Sequence, residues 1–381
     1  MKKVLFTATV VKTHINVFHI PFLKMFKNMG YTTYVAAKDD FEDVPCEIPY
    51  CDYFTDIEFH RSPFSLKNVK AYKKLCELIE KEKFELIHCH TPVASVMTRF
   101  ASIKARKEYG TKVIYTAHGF HFYKGAPLLN WLLYFPIEKI CSYFTDVLIT
   151  INQEDYALAL RKMKAKQIEY VPGVGLDTQK FATTEVDRTA KRRELGVPEN
   201  ATILISVGEL IPRKNHETVI KAVSEMNNQN IYYLVVGNGI IFNHLQDCVN
   251  TLALGKQVLF LGYRRDIAQL YKASDICVLP SLQEGLPVAL LEAMASGMPV
   301  VCSSIRGNVD LIDTNGGILF APIDIDACRS AIEELIGNEA LRKTMGKHNV
   351  IKAKQFDCSV VNARMKYIYE NTLAHKCDTG K

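Results

Sequence analysis

Residues 281–299 read SLQEGLPVALLEAMASGMP, and the order of elements that this stretch predicts decides the fold. The apolar residues 275–280 before it are typical of a buried strand. The apolar run after Pro287 is typical of a helix that ends at Gly297. Pro287 fits the first turn of that helix, where no amide donor is lost. The sequence therefore predicts a strand, a loop and a helix in succession.

The loop of this unit has the chemistry of a phosphate site. The free N–H groups of the turn at residues 285–288, which all but Pro287 carry, stand at the predicted helix N-terminus, where the helix dipole favours an anion. Glu284 precedes the turn and Glu292 follows about two turns along the helix, so both carboxylates can border one ligand. A phosphate with polyhydroxylated groups on either side is the chemistry of a nucleotide sugar.

The whole stretch resembles the E-x7-E signature of retaining glycosyltransferases of family 4, which have the GT-B fold. The alternative without a ligand is an acidic residue that favours the helix dipole, followed by a solvated helical glutamate. The resemblance implies that Glu292 holds the ribose hydroxyls and that Glu284 acts at the transferred sugar, although not as a nucleophile. It also implies donor contacts from the turn, namely from Gly285, Leu286, Pro287 and Val288.

Strands and helices alternate through both halves of the chain, which predicts an α/β fold with doubly wound parallel sheets. With the resemblance, this gives the GT-B fold, in which two Rossmann-like domains face each other across a cleft. We expect residues 1–175 to bind the acceptor and residues 176–359 to bind the nucleotide sugar, with a last helix at about 360–375 crossing back. The predicted strands are 4–10, 32–37, 86–89, 112–116, 147–151, 202–208, 232–237, 258–261, 276–280 and 300–302.

A second motif, VGELIPRKNH at residues 207–216, leaves the first predicted strand of the second domain. Family 4 enzymes place an arginine and a lysine in this loop, where both reach the donor phosphates. Lys214 matches the lysine, but Glu209 stands at the usual position of the arginine. We expect Arg213 to supply the missing charge from a different angle, and Lys214 to stabilise the leaving diphosphate without a metal ion.

A third motif, YTAHGFHF at residues 115–122, follows a strand of the first domain. The resemblance carries a catalytic histidine by the donor sugar over to His118. The triplet His88-Cys89-His90 suggests a metal site, but neighbouring strand residues point to opposite faces, and we expect no metal ion there. Asp324 and Asp326 resemble a DxD metal motif. They precede a predicted helix, however, where an aspartate is an ordinary N-cap.

Weaker candidates come from three other loops. The partial glycine signature at residues 236–239 offers Gly237 and Asn238 to the donor, and Arg264 lies where the family binds the base. Family members tend to have a Gly-Gly pair in the first loop, which residues 8–16 lack. In that loop we expect Lys12 and His14 to face the acceptor instead.

Composition describes a globular protein of 381 residues with 48% hydrophobic residues and a net charge of +6. The 11 cysteines are scattered without a CxxC pair, which indicates reduced thiols and a cytoplasmic protein. No apolar run is long and uncharged enough to span a bilayer, and no nucleic-acid-binding module accompanies the charge. Residues 61–112 hold twelve lysines and arginines against five acidic residues, which is compatible with an anionic membrane surface or with a solvated face. The basic residues counted there include Arg61, Lys67, Lys70, Lys73, Lys74, Arg99, Lys104, Arg106 and Lys107.

The stretch at residues 116–127 together with residues 208–210 is similar to transferases of bacterial exopolysaccharide and capsule gene clusters, including the EpsD-like group of biofilm matrix synthesis. By this likeness the donor is a UDP-sugar, the acceptor is an undecaprenyl-diphosphate-linked saccharide, and the enzyme works without a cofactor on the inner face of the cell membrane. Two alternatives stay open. One is a GT-B enzyme of another reaction, such as a UDP-sugar epimerase or a glycogen-type synthase. The other is a non-catalytic nucleotide-sugar-binding subunit of a polysaccharide assembly complex.

Overall fold

The computed structural model describes residues 2–42, 44–60, 62 and 65–374. The chain divides into two compact units. The first consists of residues 1–174 together with 359–381, and the second of residues 175–358. Each unit is built on one parallel sheet with helices between its strands, which confirms the α/β class with two Rossmann-like domains.

The sheet of the first unit has seven parallel strands in the order β3-β2-β1-β4-β5-β6-β7. The strand order reverses between β1 and β4, so the carboxyl ends of these neighbours form a switch point where ligands bind in such folds. The strands are β1 (Lys3–Val10), β2 (Thr32–Lys38), β3 (Tyr53–Asp56), β4 (Leu86–His90), β5 (Lys112–Ala117), β6 (Val147–Thr150) and β7 (Gln167–Tyr170).

The last helix of the described chain, Cys358–Ala374, packs in the first unit. Its residues Val361, Met365 and Tyr369 lie in the apolar cluster that includes Phe6 of β1. A π-helical turn, Val11–Ile15, follows β1 directly. The other helices of this unit are Asn16–Phe18, Ile20–Asn28, Lys67–Glu82, Pro92–Ala101, Ile103–Glu108, Leu128–Ser142 and Gln153–Lys162.

The sheet of the second unit has six parallel strands in the order β10-β9-β8-β11-β12-β13. They are β8 (Thr202–Val207), β9 (Ile231–Val236), β10 (Val258–Gly262), β11 (Ile276–Leu279), β12 (Val300–Ser303) and β13 (Gly317–Phe320). The α-helices are Thr178–Thr183, Arg188–Glu194, His216–Glu225, Phe242–Thr251, Ile267–Ala273, Val288–Ala295, Asn308–Leu311, Ile325–Gly337 and Glu339–Ala353. Pro212–Lys214 and Lys354–Phe356 are 3-10 turns.

Three strands lie outside the sequence prediction: β3, β7 and β13. All three are sheet edges of four residues. An edge strand has one free flank and does not need the continuous apolar run that marks a buried strand, so periodicity does not reveal it. The sequence pattern of residues 93–107 predicts one helix, but the structure interrupts it at Ser102, whose hydroxyl donates to the carbonyl of Thr98.

The basic surface expected over residues 61–112 is wrong in part. The guanidinium of Arg99 is buried, and Arg106 pairs with the carboxylate of Asp146 at 2.9 Å. Both arginines therefore contribute to the packing of the first unit and not to a basic surface. Arg61 lies outside the described residues. The lysines of this stretch remain at the surface, namely Lys67, Lys70, Lys73, Lys74, Lys104 and Lys107.

We expect Glu138→Ala to lower the free energy of unfolding by about 3–5 kcal/mol. Arg99 donates to both carboxylate oxygens of Glu138, at 2.9 and 3.1 Å, and its guanidinium lies 4.1 Å from the ring centroid of Tyr115. The truncation leaves a buried cation without its carboxylate. The measurement is urea denaturation, and the control is Arg99→Met combined with Glu138→Leu. A double variant that is no more stable than Glu138→Ala would contradict this account.

Within the described ranges, no helix is both long enough and apolar enough to cross a membrane. The cysteines that fall in those ranges are all free thiols.

Candidate active site

The loops that follow β8 and β11 meet at the carboxyl edge of the second sheet, where these two strands are neighbours. The amide of Leu282 donates to the carbonyl of Arg213 at 2.7 Å, and the side-chain amide of Asn215 donates to the carbonyl of Pro280 at 3.1 Å. Asn215 has a left-handed backbone, which turns the chain from the 3-10 turn into the next helix. The two loops are therefore held in register by backbone contacts.

This register brings both predicted cations onto Glu284. The ammonium Nζ of Lys214 lies 2.6 Å from Oε1 of Glu284, and a guanidinium nitrogen of Arg213 lies 3.4 Å from Oε2. Lys214 and Glu284 are buried, whereas the side chain of Arg213 is 43% exposed. Glu209 is exposed at the start of the same loop. The structure thus gathers two positive charges and one carboxylate at one point of the sheet edge.

The turn after Glu284 presents backbone donors. Pro287 has extended dihedral angles and caps the helix that begins at Val288, so its expected place inside the first helical turn is wrong by one residue. Within the described part of the chain, the amides of Gly285, Leu286 and Val288 donate none of the loop hydrogen bonds. Their N–H groups stand at the positive end of a helix dipole, which suits an anion.

Glu292 lies on the helix Val288–Ala295, in its second turn. Burial raises the pKa of its carboxyl from 4.5 to about 7, and the charge of Lys180 opposes this shift. A carboxylate without a close ion pair is costly at neutral pH. A pKa that burial shifts in this way is common among groups that bind a ligand.

Two residues that the sequence analysis missed support the turn from behind. The Nε of Arg306 donates to the carbonyl of Glu284 at 3.2 Å. Gly307 has a φ of 82°, and a Cβ there would stand 2.4 Å from the carbonyl oxygen of Gly285. A side chain at this position would push the turn out of place. The signal was a basic residue followed by glycine after β12.

The three weaker candidates for contacts with the donor have different surroundings. Gly237 follows β9, and a Cβ there would stand 1.9 Å from the carbonyl oxygen of Gly208, so this glycine lets two loops of the sheet edge touch. Asn238 is exposed beside it, and its carbonyl accepts from Leu210. The guanidinium of Arg264 is held by the carboxylates of Asp266 and Glu194, each at 2.8 Å or less. A donor contact from Arg264 stays a prediction.

In the first unit, His118 follows β5 and meets the last residue of β4. Its Nε2 lies 3.4 Å from Nδ1 of His90. The ring of His14, in the π-helical turn, stands 5.0 Å from the ring of His118. Burial lowers the pKa of His118 to about 4, so its imidazole is neutral at physiological pH and can donate or accept one hydrogen bond. His121 turns elsewhere and packs against Tyr134.

Other residues that the sequence analysis singled out have defined contacts. Lys12 lies in the π-helical turn with an exposed side chain, and its backbone N–H donates to the carboxylate of Asp40 at 2.6 Å. Asp324 caps its helix by accepting from the amide of Ala327, which confirms the N-cap. His88 and Cys89 face opposite sides of the sheet: His88 contacts Tyr369, whereas Cys89 packs with Leu148.

Known families match both units. The family described as "Glycosyl transferase 4-like" matches residues 3–152, and "Glycosyl transferases group 1" matches residues 187–350. The chain is 35% identical over 373 residues to EpsD of Bacillus subtilis (strain 168), a protein named as a glycosyltransferase, and this alignment covers 97% of the chain and 96% of EpsD.

Two further likenesses are more distant. The chain is 32% identical over 284 residues, 72% of each chain, to an Escherichia coli protein named UDP-Gal:alpha-D-GlcNAc-diphosphoundecaprenol alpha-1,3-galactosyltransferase. Among solved structures, Anabaena HepE in complex with UDP and glucose superposes with a TM-score of 0.80 at 20% identity, covering 97% of this chain and 100% of HepE. The matches over both units and over nearly the full length of EpsD show that the chain belongs to glycosyltransferase family 4, with the GT-B fold.

Proposed function

We propose that this glycosyltransferase retains the anomeric configuration, needs no metal ion at the diphosphate, and moves a sugar from a UDP-sugar to a saccharide carried on undecaprenyl diphosphate. The observation that carries the proposal is the cluster of Lys214, Arg213 and Glu284 beside the backbone N–H groups of residues 285, 286 and 288. Two cations and a helix N-terminus at one point suit a diphosphate. The E. coli relative is named for a UDP-sugar donor, and HepE was solved with UDP.

Glu284 has two roles in this proposal. Without donor, it neutralises the two cations and keeps Lys214 in place. When a diphosphate takes over the cations, the carboxylate is released to accept hydrogen bonds from the hydroxyls of the transferred sugar. Lys214 and Arg213 then stabilise the charge that develops on the departing UDP. The leaving phosphate accepts the proton of the acceptor hydroxyl, so the reaction needs no protein nucleophile.

The remaining predicted residues bind the donor and the acceptor. Glu292 accepts hydrogen bonds from the ribose hydroxyls, and His118 binds the donor sugar as a neutral imidazole. Lys12 and His14 take the acceptor. The relatives named EpsD and diphosphoundecaprenol galactosyltransferase support a lipid-linked acceptor and a place in exopolysaccharide, capsule or biofilm-matrix synthesis. The enzyme would then work on the cytoplasmic face of the membrane.

A peripheral contact with that membrane is supported by the helix Leu128–Ser142. Leu128, Leu132 and Ile140 on this helix are 72%, 64% and 51% exposed, which is far above what a helix facing a core shows. Exposed lysines of the same unit include Lys124 and Lys107. An apolar helix face near cations binds a bilayer that carries anionic lipid.

We expect the double variant Leu129→Glu and Leu132→Glu to lose about tenfold in binding to vesicles of anionic phosphatidylglycerol, because two leucines no longer enter the acyl region. The measurement is co-sedimentation. The control is Ile351→Glu, which charges a residue that is 69% exposed in the second unit and should bind like wild type. Equal binding of the double variant and wild type would remove the helix from the proposal.

The proposed reaction is tested by UDP release from a panel of UDP-sugars, with and without a short-chain polyprenyl-diphosphate saccharide. We expect release from one donor that depends on the acceptor. Interconversion of UDP-sugars without any acceptor would indicate an epimerase instead. Saturable UDP binding with no release from any pair, under conditions where a lipid-linked galactosyltransferase control is active, would favour the non-catalytic subunit.

A further inference from the structure

Four histidines of the first unit converge in its interior: His14, His19, His90 and His118. Each offers one ring nitrogen, and these nitrogens all lie within 4.8 Å of one another. The four rings come from the π-helical turn, the junction between the helices Asn16–Phe18 and Ile20–Asn28, the end of β4 and the loop after β5. We propose that this four-histidine cluster binds one divalent transition-metal ion of the zinc class.

The hydrogen bonds of the cluster are incomplete. Within the described residues, Nε2 of His14, both ring nitrogens of His19 and Nε2 of His90 are buried and have no hydrogen-bond partner. His19 and His90 are only 2% and 1% exposed. A buried polar atom without a partner is unfavourable, and native proteins rarely keep several at one place unless a ligand satisfies them.

His88 shows how the same region treats a histidine that serves the core. It lies two residues before His90 and on the same face of β4. Its Nδ1 lies 2.8 Å from the hydroxyl of Tyr369, and its Nε2 lies 2.8 Å from the hydroxyl of Thr116. The fold therefore supplies partners to a structural histidine here, whereas His14, His19 and His90 keep buried ring nitrogens without one.

The spacing suits tetrahedral coordination. Nitrogens bound to zinc at its usual distance stand about 3.3 Å apart. Nε2 of His118 and Nδ1 of His90 are already 3.4 Å apart, and because the four ligand nitrogens all lie within 4.8 Å of one another, no pair needs to approach by more than about 1.5 Å. A cavity of about 20 Å³ lined in part by His19, His90 and His118 leaves room for an ion or a bound water.

The protonation state of the four histidines also suits a metal ion. Burial lowers the pKa of His14 to about 3 and that of His118 to about 4, and it holds the pKa of His19 and His90 well below the usual value. All four rings are thus neutral imidazoles at pH 7, the form that ligates zinc, copper and nickel. A carboxylate is absent from the set, which disfavours magnesium and calcium.

The backbone beside the four-histidine cluster is also strained. Thr91, directly after His90, has a φ of 61°, which is unfavourable for a β-branched residue. Its hydroxyl lies 2.7 Å from that of Thr9 and accepts from the amide of Thr9 at 3.1 Å. The end of β4 is therefore tied to the end of β1, just before the turn that carries His14. Such strain is kept where the surroundings fix a functional geometry.

The metal ion would compete with sugar binding, because His118 is a ligand of the cluster and is also the histidine of the proposed function. Metal binding should therefore inhibit transfer, and the chain with an empty site should be the active form. This consequence rests on the proposed function, whereas metal binding itself does not.

Metal binding is tested on full-length chain without a polyhistidine tag, stripped with a chelator. We expect one Co²⁺ per chain with the visible absorption of a tetrahedral site, displaced by one equivalent of Zn²⁺. His19→Phe and His90→Phe keep the ring stacking around Phe6 and remove one ligand each, so each should weaken binding at least tenfold. The control His244→Ala removes an exposed histidine of the second unit and should bind like wild type.

Absence of saturable Co²⁺ and Zn²⁺ binding by wild type would overturn the proposal, as would equal binding by both phenylalanine variants. If these variants fail to fold, thermal unfolding of wild type decides: Zn²⁺ should raise the Tm, and an unchanged Tm counts against the site. If the site binds metal but no donor or acceptor gives transfer, the proposed function fails while this inference stands.

Discussion

Lys214→Ala is expected to lower kcat/KM for sugar transfer by about 10²–10³-fold, the usual cost of removing one group that stabilises transition-state charge. Its ammonium lies 2.6 Å from Glu284, beside the amides of the 285–288 turn, where the diphosphate is proposed to bind. Because the charge on the phosphate grows as the sugar departs, most of the loss should appear in kcat and less in KM.

Matched variants separate this effect from misfolding. Lys214→Arg keeps the charge and should recover part of the activity. Lys221→Ala removes a half-exposed lysine of the same unit, paired with Glu217 at 2.6 Å, and should leave transfer unchanged. The measurement is steady-state kinetics with the donor that the panel identifies. Activity of Lys214→Ala within threefold of wild type would remove Lys214 from the diphosphate site.

Glu292→Gln is expected to change binding and stability in opposite directions. The variant should bind UDP about 10–100-fold more weakly, because hydrogen bonds from the ribose hydroxyls to a carboxylate are stronger than those to an amide. It should also unfold with a free energy about 2 kcal/mol higher at pH 8, because the neutral amide no longer carries the cost of a buried charge.

The stability effect has a definite pH window. The carboxyl has a pKa of about 7 in the folded chain and an ordinary value of 4.5. Between these values the folded state binds more protons than the unfolded state, so this residue makes stability fall as pH rises from about 4.5 to about 7. Below that window the cost is absent. The gain from Glu292→Gln should thus be present at pH 8 and vanish at pH 4.5.

Calorimetry with UDP and denaturation at both pH values measure the two effects. Glu225→Gln is the control, since its carboxylate lies in the same unit and forms a surface ion pair with Arg329 at 3.0 Å. If Glu292→Gln binds UDP as wild type does, the proposed contact with ribose is wrong. If its stability gain is the same at both pH values, the raised pKa is not its cause.

Much of the second unit's site followed from the sequence because its parts are local. Glu284, the turn and Glu292 lie within nine residues, and Lys214 sits in one loop directly after a strand. Parallel strands bring such loops to one edge of a sheet, so strand prediction suffices to place them together. The ion pairs of Lys214 and Arg213 with Glu284 then depend only on β8 and β11 being neighbours.

The histidine cluster could not be predicted in this way. The sequence offered only the triplet His88-Cys89-His90, where we expected no metal ion because a strand separates neighbours onto opposite faces. The convergence of His14 and His19 with His90 depends on the π-helical turn after β1, and π-helical turns have no reliable sequence pattern. Likewise Arg99 reads as a surface charge in sequence, since its partner Glu138 lies 39 residues away on another helix.

The most direct measurement of the central claim is the mass of a polyprenyl-diphosphate saccharide after incubation with the chain and a UDP-sugar. The account predicts a mass gain of one sugar residue, with an equal amount of UDP formed and with full activity in the presence of a chelator. An unchanged acceptor mass with every donor, while UDP still binds to the folded chain, would contradict it.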